Sequence, residues 1–582
     1  MPPADTSANL AAARLLAEIA AMLRVQEAPP YRVRAYERAA DAVAMFPVPL
    51  ATLLADGRLR EIPHVGPAIE ALLAESLRDG TMRLHARLAA ETPPGLAELL
   101  RIPGVTPTTA RSLHQALGVA GLADFERALR EGRLPDLASA GRADLLQSVA
   151  RAREGGRPVR LKTAWEVARL LRAQLQEGAA PQQAEVAGAA RRMVTEGPLD
   201  GVELVAVPGA GGAAPLLDAF VSLPGVAEVL ARDGHSARLR LHDGTLAQLH
   251  LATASTWGGA LAWHTGSPRH VQRLSARAQE RGLRLEPDGL HDAAGRSVDS
   301  GDEEALYARL GLPSIPAELR EDGGEIDVAA HGGLPRLVEG ADLRGDLHTH
   351  TDWTDGSASL EAMATTARAR GYAYMAVTDH SQALGFINGL TPERVAEQRR
   401  LVDRLNHQLA PFVILHGTEM DILEDGTLDY PDEVLQALDY VSASVHRRHK
   451  QGRDAMTARI LRAVAHPRVE TLNHPFGRMV GSRDPYPVDM AAVLAAAARS
   501  GCAVEISGDP ARMDLDGAWG RRAGQAGALC TLSTDAHSPL DLDNAWIALG
   551  SARRAWLTPE QILNTRPLDD VRRLLKRGRL KA

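Results

Sequence analysis

The C-terminal part of the chain repeats one pattern: a short apolar run, a polar side chain directly after it, and then a longer amphipathic stretch. The apolar runs have the length of buried strands, and the longer stretches carry apolar residues at helical spacing. Alternating strands and helices predict a (β/α) barrel. The predicted strands are 343–350, 374–377, 412–415, 441–445, 471–473 and 528–532, and the predicted helices are 360–370, 392–409, 456–464 and 490–499.

The N-terminal and middle parts have different patterns. Residues 8–24 carry apolar positions at the spacing of an amphipathic helix. From about residue 161 the pattern becomes mixed, with helices predicted at 164–176 and 216–223 and strands at 202–207, 236–241 and 246–252. Because single cores stop growing near about 250–300 residues, a chain of 582 residues is expected to form several domains. The fold class predicted is multidomain α/β.

Metal-capable side chains follow the apolar runs of the C-terminal part. His348 and His350 are two residues apart, so on a strand both imidazoles point to the same face. The carboxyl ends of parallel strands meet at one end of a barrel, and a set of histidines and carboxylates at that end is typical of a metal site. A single such residue is more often a cap or a turn former, but the repetition favours a site. The candidates are His348, His350, Asp355, His380, Glu419, His446, His474, Asp535 and His537.

Composition narrows the class of protein only slightly. The net charge of −7 excludes a uniformly basic surface, although local basic patches remain compatible with it. Cys502 and Cys530 lie in apolar runs and are expected to be buried thiols rather than a disulfide, as in a reducing cytosol. We see no signal peptide and no apolar run of about 18 residues, so we expect a cytoplasmic protein without a membrane span.

Two segments near the N-terminus have the apolar-Pro-Gly-apolar-Gly pattern of a helix–hairpin–helix loop. The first is Ile-Pro-His-Val-Gly at 62–66, and the second is Ile-Pro-Gly-Val-Thr at 102–106. Such loops present backbone N–H groups at a helix N-terminus, where they bind a DNA phosphate without reading sequence. For either copy alone, a plain helix–turn–helix is the alternative. The DNA-contact candidates are His64, Gly66, Gly104 and Thr106.

This order of elements resembles the bacterial family X DNA polymerases that carry a C-terminal polymerase-and-histidinol-phosphatase (PHP) domain. The match is strongest in His348-Thr-His350, Asp379-His380 and the Asp-Ala-His motif at 535–537. The resemblance implies an N-terminal helical helix–hairpin–helix domain, an α+β palm and thumb, and a distorted (β/α)7 PHP barrel. The predicted boundaries are 1–90 for the first hairpin domain, 91–155 for a fingers-like domain, 156–322 for palm and thumb, 323–340 for a linker, and 341–582 for the barrel.

The resemblance also implies three divalent metal ions, with Mn²⁺ expected and Zn²⁺ or Fe²⁺ as alternatives. One ion would be held by His348, His350, Glu419 and Asp535, a second by Glu419, His446 and His474, and a third by Asp355, His380 and His537. Asp379 is expected to orient His380. Arg448, Arg483 and Arg512 are candidates for contacts to substrate phosphate, because guanidinium matches phosphate bidentately.

The middle region departs from the family pattern at the polymerase centre. Ala189 stands where a Ser is usual, and of the three carboxylate positions only Asp200 is kept, with Val202 and Gln248 at the other two. Glu203 is one residue out of phase and is expected on the opposite face of its strand. Because a two-metal site needs its carboxylates, we expect the polymerase centre to be inactive. The alternative is an unusual set formed by Glu196, Asp200 and Glu203.

We therefore predict a metal-dependent DNA repair enzyme whose PHP domain hydrolyses phosphodiesters, as a Mn²⁺-dependent 3′→5′ exonuclease or a 3′-end phosphoesterase. The expected partner is DNA, with gaps or 3′ ends, and the expected state is a monomer. The alternatives are an active gap-filling polymerase with an attached exonuclease, and a small-molecule phosphatase of the histidinol-phosphate type. A non-catalytic DNA-binding scaffold would predict missing metal ligands, and none is missing here.

Overall fold

The computed structural model describes residues 7–576, apart from 27, 47, 93–94, 101, 103–104, 135–138, 154–155 and 482. The chain forms two compact units. The first contains the chain up to Ala190, together with Gly197–His264 and Pro287–Gly289. The second contains Arg191–Glu196, Thr265–Glu286 and the chain from Leu290.

The first unit begins with a series of helices. Helix α1 carries Leu16, Ile19 and Leu23 on one face, and these side chains form a buried core with α2 to α5. A second cluster, which includes Phe125 and Leu129, lies among α6 to α9. The helices are α1 Ser7–Val25, α2 Pro30–Met45, α3 Leu50–Ala55, α4 Pro67–Asp79, α5 Arg83–Glu91, α6 Leu96–Leu99, α7 Pro107–Leu117, α8 Leu122–Arg130 and α9 Ser139–Arg153.

A five-stranded mixed sheet follows in the same unit, with the strand order β1-β2-β5-β4-β3. Strands β2 and β5 are parallel neighbours, and the other pairs are antiparallel. Alternate residues of β4 and β5 are buried, so one face of the sheet is covered and the other is partly open. The elements are α10 Leu161–Ala179, β1 Gln183–Ala187, α11 Gly188–Arg191, β2 Val202–Val207, α12 Ala213–Val221, β3 Val226–Arg232, β4 Ser236–Leu241, β5 Leu246–Leu251 and α13 Trp257–Thr265.

The second unit begins with a small α+β part that is tied together by buried charges. The Arg191 guanidinium pairs with Glu303 at 2.7 Å, and Arg320, which is 1% exposed, also pairs with Glu303. The predicted linker 323–340 is not a plain connector, because it contains helix α16. The elements are α14 Pro268–Gln279, β6 Leu283–Glu286, β7 Gly289–Asp292, α15 Glu303–Arg309 and α16 Glu325–Ala330.

The rest of the second unit is a barrel of seven parallel strands in the order β14-β13-β12-β11-β10-β9-β8. Thr349 forms a parallel bridge to Ala536, which brings the first and last strands together. The predicted multidomain α/β class with a C-terminal (β/α)7 barrel is confirmed. The elements are β8 Gly345–Thr349, α17 Leu360–Ala369, β9 Tyr374–Val377, α18 Pro392–Leu409, β10 Val413–Asp421, α19 Asp432–Ala437, β11 Tyr440–Ser444, α20 Arg453–Ala465, β12 Thr471–Leu472, α21 Met490–Ser500, β13 Ala503–Ser507, α22 Gly517–Gln525, β14 Cys530–Ser533, α23 Ala545–Arg554 and α24 Leu568–Leu574.

Helix α23 of the barrel is anchored by a buried cation. Arg554 donates to the Glu196 carboxylate at 2.7 Å and to Glu321 at 2.8 Å, and all three belong to the second unit. Both cysteines are buried free thiols, as predicted. Over the described residues, no helix combines the length and the apolar character needed to cross a bilayer.

Candidate metal centre

The carboxyl ends of the barrel strands carry the candidate ligands. His348 lies on β8 and Glu419 on β10, while His446, His474 and Asp535 are each the second residue after β11, β12 and β14. The barrel strands form the core of this unit. At the end of each strand the backbone leaves the core, and a polar side chain there can point into the mouth of the barrel. The structure thus brings the nine predicted ligands to one end of the barrel.

Glu419 lies at the middle of the cluster and is 1% exposed. Its Oε1 is 2.7 Å from His474 Nε2 and 3.1 Å from His446 Nε2. Its Oε2 is 3.0 Å from His380 Nδ1, and the Nε2 atoms of His348 and His350 lie 3.5 and 3.6 Å from it. One carboxylate therefore faces imidazoles on both oxygens, which is the geometry that a bridging ligand requires.

Asp355 and Asp535 complete the cluster on either side of His350. Asp535 Oδ1 is 3.3 Å from His348 Nε2 and 3.2 Å from His350 Nε2. Asp355 Oδ2 is 3.3 Å from His537 Nε2 and 3.5 Å from His380 Nε2. Potential ligand atoms of His350, Asp355, His380 and His537 lie within 4.8 Å of one another, so His350 adjoins the third implied group as well as the first.

Several buried imidazole nitrogens of this cluster make no well-directed hydrogen bond among the described residues, although carboxylate oxygens lie close to some of them. Neither nitrogen of His350 makes a hydrogen bond, nor do the Nδ1 atoms of His380, His446 and His474. A buried polar atom without a partner is costly, and a cation would satisfy such a lone pair. Imidazoles with carboxylates suit Mn²⁺, Zn²⁺ or Fe²⁺, so these residues fit divalent metal ions.

The charges of the cluster are strongly coupled. Burial alone would lower the pKa of His380, but Glu419 and Asp355 raise it to about 10. Burial and the neighbouring His537 and His380 lower the pKa of His350 to about 4. Without cations the carboxylates thus hold protons on some of the imidazoles. Protons and metal ions compete for the same nitrogen atoms.

Glu505 on β13 was not predicted from the sequence. Its side chain is fully buried; Oε1 lies 2.7 Å from His348 Nδ1, and Oε2 accepts a hydrogen bond of 2.6 Å from the backbone N–H of His474. A carboxylate that accepts from one ring nitrogen fixes the tautomer and directs the other nitrogen to a metal. The only sequence signal for this role is a Glu between Val504 and Ile506 in a buried strand.

Asp379 does not orient His380 as predicted. Its carboxylate accepts hydrogen bonds from Thr351, Thr354 and Gln398, whereas both His380 nitrogens face Asp355 and Glu419. The reason is that adjacent residues after β9 point in different directions. Asp379 instead ties the loop after β8 to helix α18, so it supports the loop that carries Asp355.

The three predicted phosphate-binding arginines lie in different environments. Arg512 is mostly buried, and its Nε is 3.2 Å from Asp535 Oδ2, so this guanidinium adjoins the metal cluster. Arg448 is exposed, with a positive φ of 57° and Glu424 at 3.4 Å. Arg483 is exposed and donates to the Gly477 carbonyl. Contact geometry therefore favours Arg512 over Arg448 and Arg483.

The predicted DNA-contact residues lie just before two helices. Gly66 is the residue before α4, and Thr106 caps α7 by accepting from the Thr109 N–H. His64 is exposed and has φ 64°, the left-handed conformation in which a Gly is more usual. Gly104 lies outside the described residues. In a helix, the N–H groups of the first turn that lack a partner within the helix are the ones that can contact a phosphate.

The register of the five-stranded sheet, here called the palm sheet, contradicts the assignment of Val202 to the second carboxylate position. Val202 pairs with Ala247 and Glu203 pairs with Gln248, and residues paired in this way share a face of the sheet. Val202 is 2% exposed on the covered face. The assignment of Val202 to the second carboxylate position is therefore wrong, and Glu203 lies beside Gln248 on the partly open face. The expectation that Glu203 points away from the centre is wrong for the same reason.

The carboxylates of Asp200 and Glu196 make contacts with other residues. Asp200 accepts a hydrogen bond of 3.1 Å from the Ser148 hydroxyl, and Glu196 pairs with Arg554. The alternative set of Glu196, Asp200 and Glu203 thus has no structural support. Ala189 lies in the short helix α11 and supplies no hydroxyl. Glu203 lies on the partly open face, beside the uncharged Gln248.

Comparisons with known proteins agree with this architecture. Family profiles match residues 7–82 as a helix-hairpin-helix domain, 260–321 as a DNA polymerase beta thumb and 346–481 as a PHP domain. The DNA polymerase/3′-5′ exonuclease PolX of Bacillus subtilis (strain 168) is 31% identical over 579 residues, which cover 97% of this chain and 99% of that protein. The chain belongs to the PolX family. It is thus an enzyme of the PolX type, with domains of the kind that bind DNA.

Shorter relatives of this PolX-family chain match about two-fifths of its length. A probable phosphatase of Shewanella sediminis is 28% identical over 250 residues, or 40% of this chain and 94% of that protein. A probable phosphatase of Thermoanaerobacter sp. (strain X514) is 27% identical over 237 residues, or 38% of this chain and 89% of that protein. The Bacillus subtilis PolX thus matches nearly the whole chain, whereas these two phosphatases match about two-fifths of it.

Proposed function

We propose that this PolX-family protein is a DNA repair enzyme whose barrel hydrolyses phosphodiesters at 3′ ends, while its palm no longer polymerises. The observation that carries the proposal is the contrast between the two centres. The mouth of the barrel brings together nine potential ligands, Glu419 and eight residues around it, whereas the partly open face of the palm sheet keeps Glu203 beside Gln248. Nucleotide addition by two Mg²⁺ ions needs several carboxylates, and hydrolysis needs the set that the barrel retains.

The residues of the barrel have separate tasks in this proposal. We assign three Mn²⁺ ions to the groups around Glu419, Asp535 and Asp355, with Zn²⁺ or Fe²⁺ as alternatives. Bound divalent ions would neutralise phosphate charge and lower the pKa of a bound water. Arg512, fixed beside Asp535, would bind a phosphate oxygen of the substrate. Glu505 holds the His348 ring so that Nε2 faces the cluster.

The N-terminal hairpins supply DNA binding in this proposal. The N-terminal N–H groups of α4 and α7 would contact backbone phosphates without reading bases, and Thr106 keeps the start of α7 in place. We expect a monomer that acts in the cytoplasm on gapped DNA or 3′ ends. A small-molecule phosphatase would have no use for these hairpins.

The test is digestion of a 5′-labelled, partly single-stranded oligonucleotide with Mn²⁺, with and without nucleotides. His348→Ala removes a cluster ligand, and His407→Ala changes an exposed histidine of the same barrel. We expect stepwise shortening by the wild type and by His407→Ala, and none by His348→Ala. Extension with nucleotides would show an active polymerase and refute the inactive palm. Neither shortening nor extension, together with release of phosphate from a small ester, would favour the phosphatase alternative.

A further inference from the structure

The partly open face of the palm sheet carries a second group of potential metal ligands, formed by residues other than those of the barrel cluster. Glu203 on β2 and His250 on β5 point to the same face, since Glu203 pairs with Gln248 and His250 follows two residues later. His264, near the end of α13, stacks on His250 with ring centroids 3.6 Å apart and an angle of 18° between the rings, so the His250 ring must turn before both imidazoles can face one ion in their ring planes. One potential ligand atom from each of the three residues lies within 4.8 Å of the others.

We propose that Glu203, His250 and His264 bind one transition-metal ion of the Zn²⁺ class at the place where the polymerase carboxylates have been lost. Two imidazoles and one carboxylate are ligands for Zn²⁺ and its neighbours, whereas Mg²⁺ prefers oxygen ligands alone. Three protein ligands leave a position for water or another oxygen ligand. All three side chains are partly exposed, so an ion can enter from solvent.

The tautomer of His264 fits this assignment. Its Nε2 lies 3.0 Å from the Pro287 carbonyl oxygen, and because a carbonyl can only accept, Nε2 must carry the proton. Nδ1 of His264 therefore carries the lone pair. A backbone carbonyl that accepts from one ring nitrogen is the usual support of a metal-bound histidine.

The environment of both imidazoles disfavours their protonated form. Burial lowers the pKa of His250 to about 4 and, together with the neighbouring His250, lowers the pKa of His264 to about 3. A neutral imidazole can donate a lone pair to a cation, while a protonated one cannot.

Gly188 makes room for the third ligand. Its φ is 64°, and a Cβ at this position would lie 3.1 Å from the Glu203 carboxyl group. The side chain of Glu203 therefore lies over the backbone of Gly188, directly before Ala189. A larger residue at 188 would displace the carboxylate from the two histidines.

Metal counting on the full-length protein tests the proposal. The protein is stripped with a chelator and dialysed against Zn²⁺, and the bound metal per chain is measured for the wild type, Glu203→Gln and His264→Gln. Gln at 264 can still donate to the Pro287 carbonyl, so the fold should be kept. His242→Gln, at an exposed residue after β4, is the matched control. We expect the two palm variants to bind one ion fewer than the wild type and the control.

A second measurement separates this site from the barrel. The difference between the Co²⁺ visible spectra of the wild type and His264→Gln should show a band for nitrogen-coordinated Co²⁺, and the hydrolytic activity of the barrel should stay unchanged. Equal Zn²⁺ content in all four proteins, with no Co²⁺ difference, would overturn the proposal. The outcome is independent of the proposed hydrolysis, because it concerns ligands in the palm alone.

Discussion

Replacing Glu505 with Gln should weaken metal binding in the barrel without removing a ligand. In the structure both carboxylate oxygens accept a hydrogen bond, one from His348 Nδ1 and the other from the backbone N–H of His474. A Gln side chain of the same shape has only one oxygen. Its amide group must face one of the two donors, so one buried donor loses its acceptor.

The size of the effect follows from these two contacts. A buried donor without an acceptor costs about 1–3 kcal/mol. Loss of a carboxylate that orients a metal-binding histidine lowers metal affinity by about 10- to 100-fold, which corresponds to about 1.4–2.8 kcal/mol. We therefore expect Glu505→Gln to need about 10 to 100 times more Mn²⁺ for half-maximal activity, with much of the activity regained at saturating metal.

The assay is oligonucleotide hydrolysis over a Mn²⁺ titration, with direct Mn²⁺ binding measured on the same samples. Glu433→Gln, at an exposed position in α19, makes the same chemical change away from the cluster and serves as control. An unchanged Mn²⁺ requirement would show that Glu505 does not orient His348. Activity that is lost and stays lost at saturating Mn²⁺ would assign Glu505 to the chemical step and would also refute the argument.

Three further outcomes follow from the structure. Chelation should abolish hydrolysis and lower the melting temperature, since buried imidazoles lose their partners, and Mn²⁺ should restore both; an unchanged melting temperature would contradict this. Burial alone would raise the pKa of Glu303, but Arg320 lowers it to about 2 from 4.5. Its contribution of about 3 kcal/mol is thus present above pH 4.5 and lost as the pH falls towards 2, and urea unfolding should depend less on pH in Glu303→Gln. Gly345→Ala should destabilise the barrel by about 1–3 kcal/mol or more in thermal melts, because its Cβ would overlap Tyr374, whereas Gly385→Ala meets no atom within 4 Å.

The ligand cluster could be predicted from the sequence because most of its histidines and carboxylates lie near the ends of strands. Each apolar run marks a strand, and in a parallel barrel the next polar residue lies at the carboxyl end. His446 and His474 illustrate this, since each is the second residue after its strand. Glu505 could not be found in this way, because it lies within β13 and its partner His348 is 157 positions away in the chain.

The residues of the palm site could not be predicted in this way, because the face on which each side chain lies depends on strand register. Which residue of β2 lies beside Gln248 is set by strand pairing between segments far apart in the sequence, and a shift of one residue exchanges the two faces. In the structure Glu203 pairs with Gln248, so Glu203 is the residue of β2 that shares its face. The approach of His264 to His250 depends on how α13 packs on the sheet, for which the sequence carries no periodic signal.

Arg554 makes the barrel difficult to detach from the rest of the chain. Its side chain is 8% exposed, and its partners Glu196 and Glu321 both precede the predicted start of the barrel at residue 341. A chain shortened to that point would keep Arg554 and lose both of its anionic partners. The barrel therefore cannot be separated from the preceding chain without the loss of these ion pairs. A lineage that no longer needs DNA synthesis would still inherit the polymerase half, because deleting it would first require a new neighbour for this arginine.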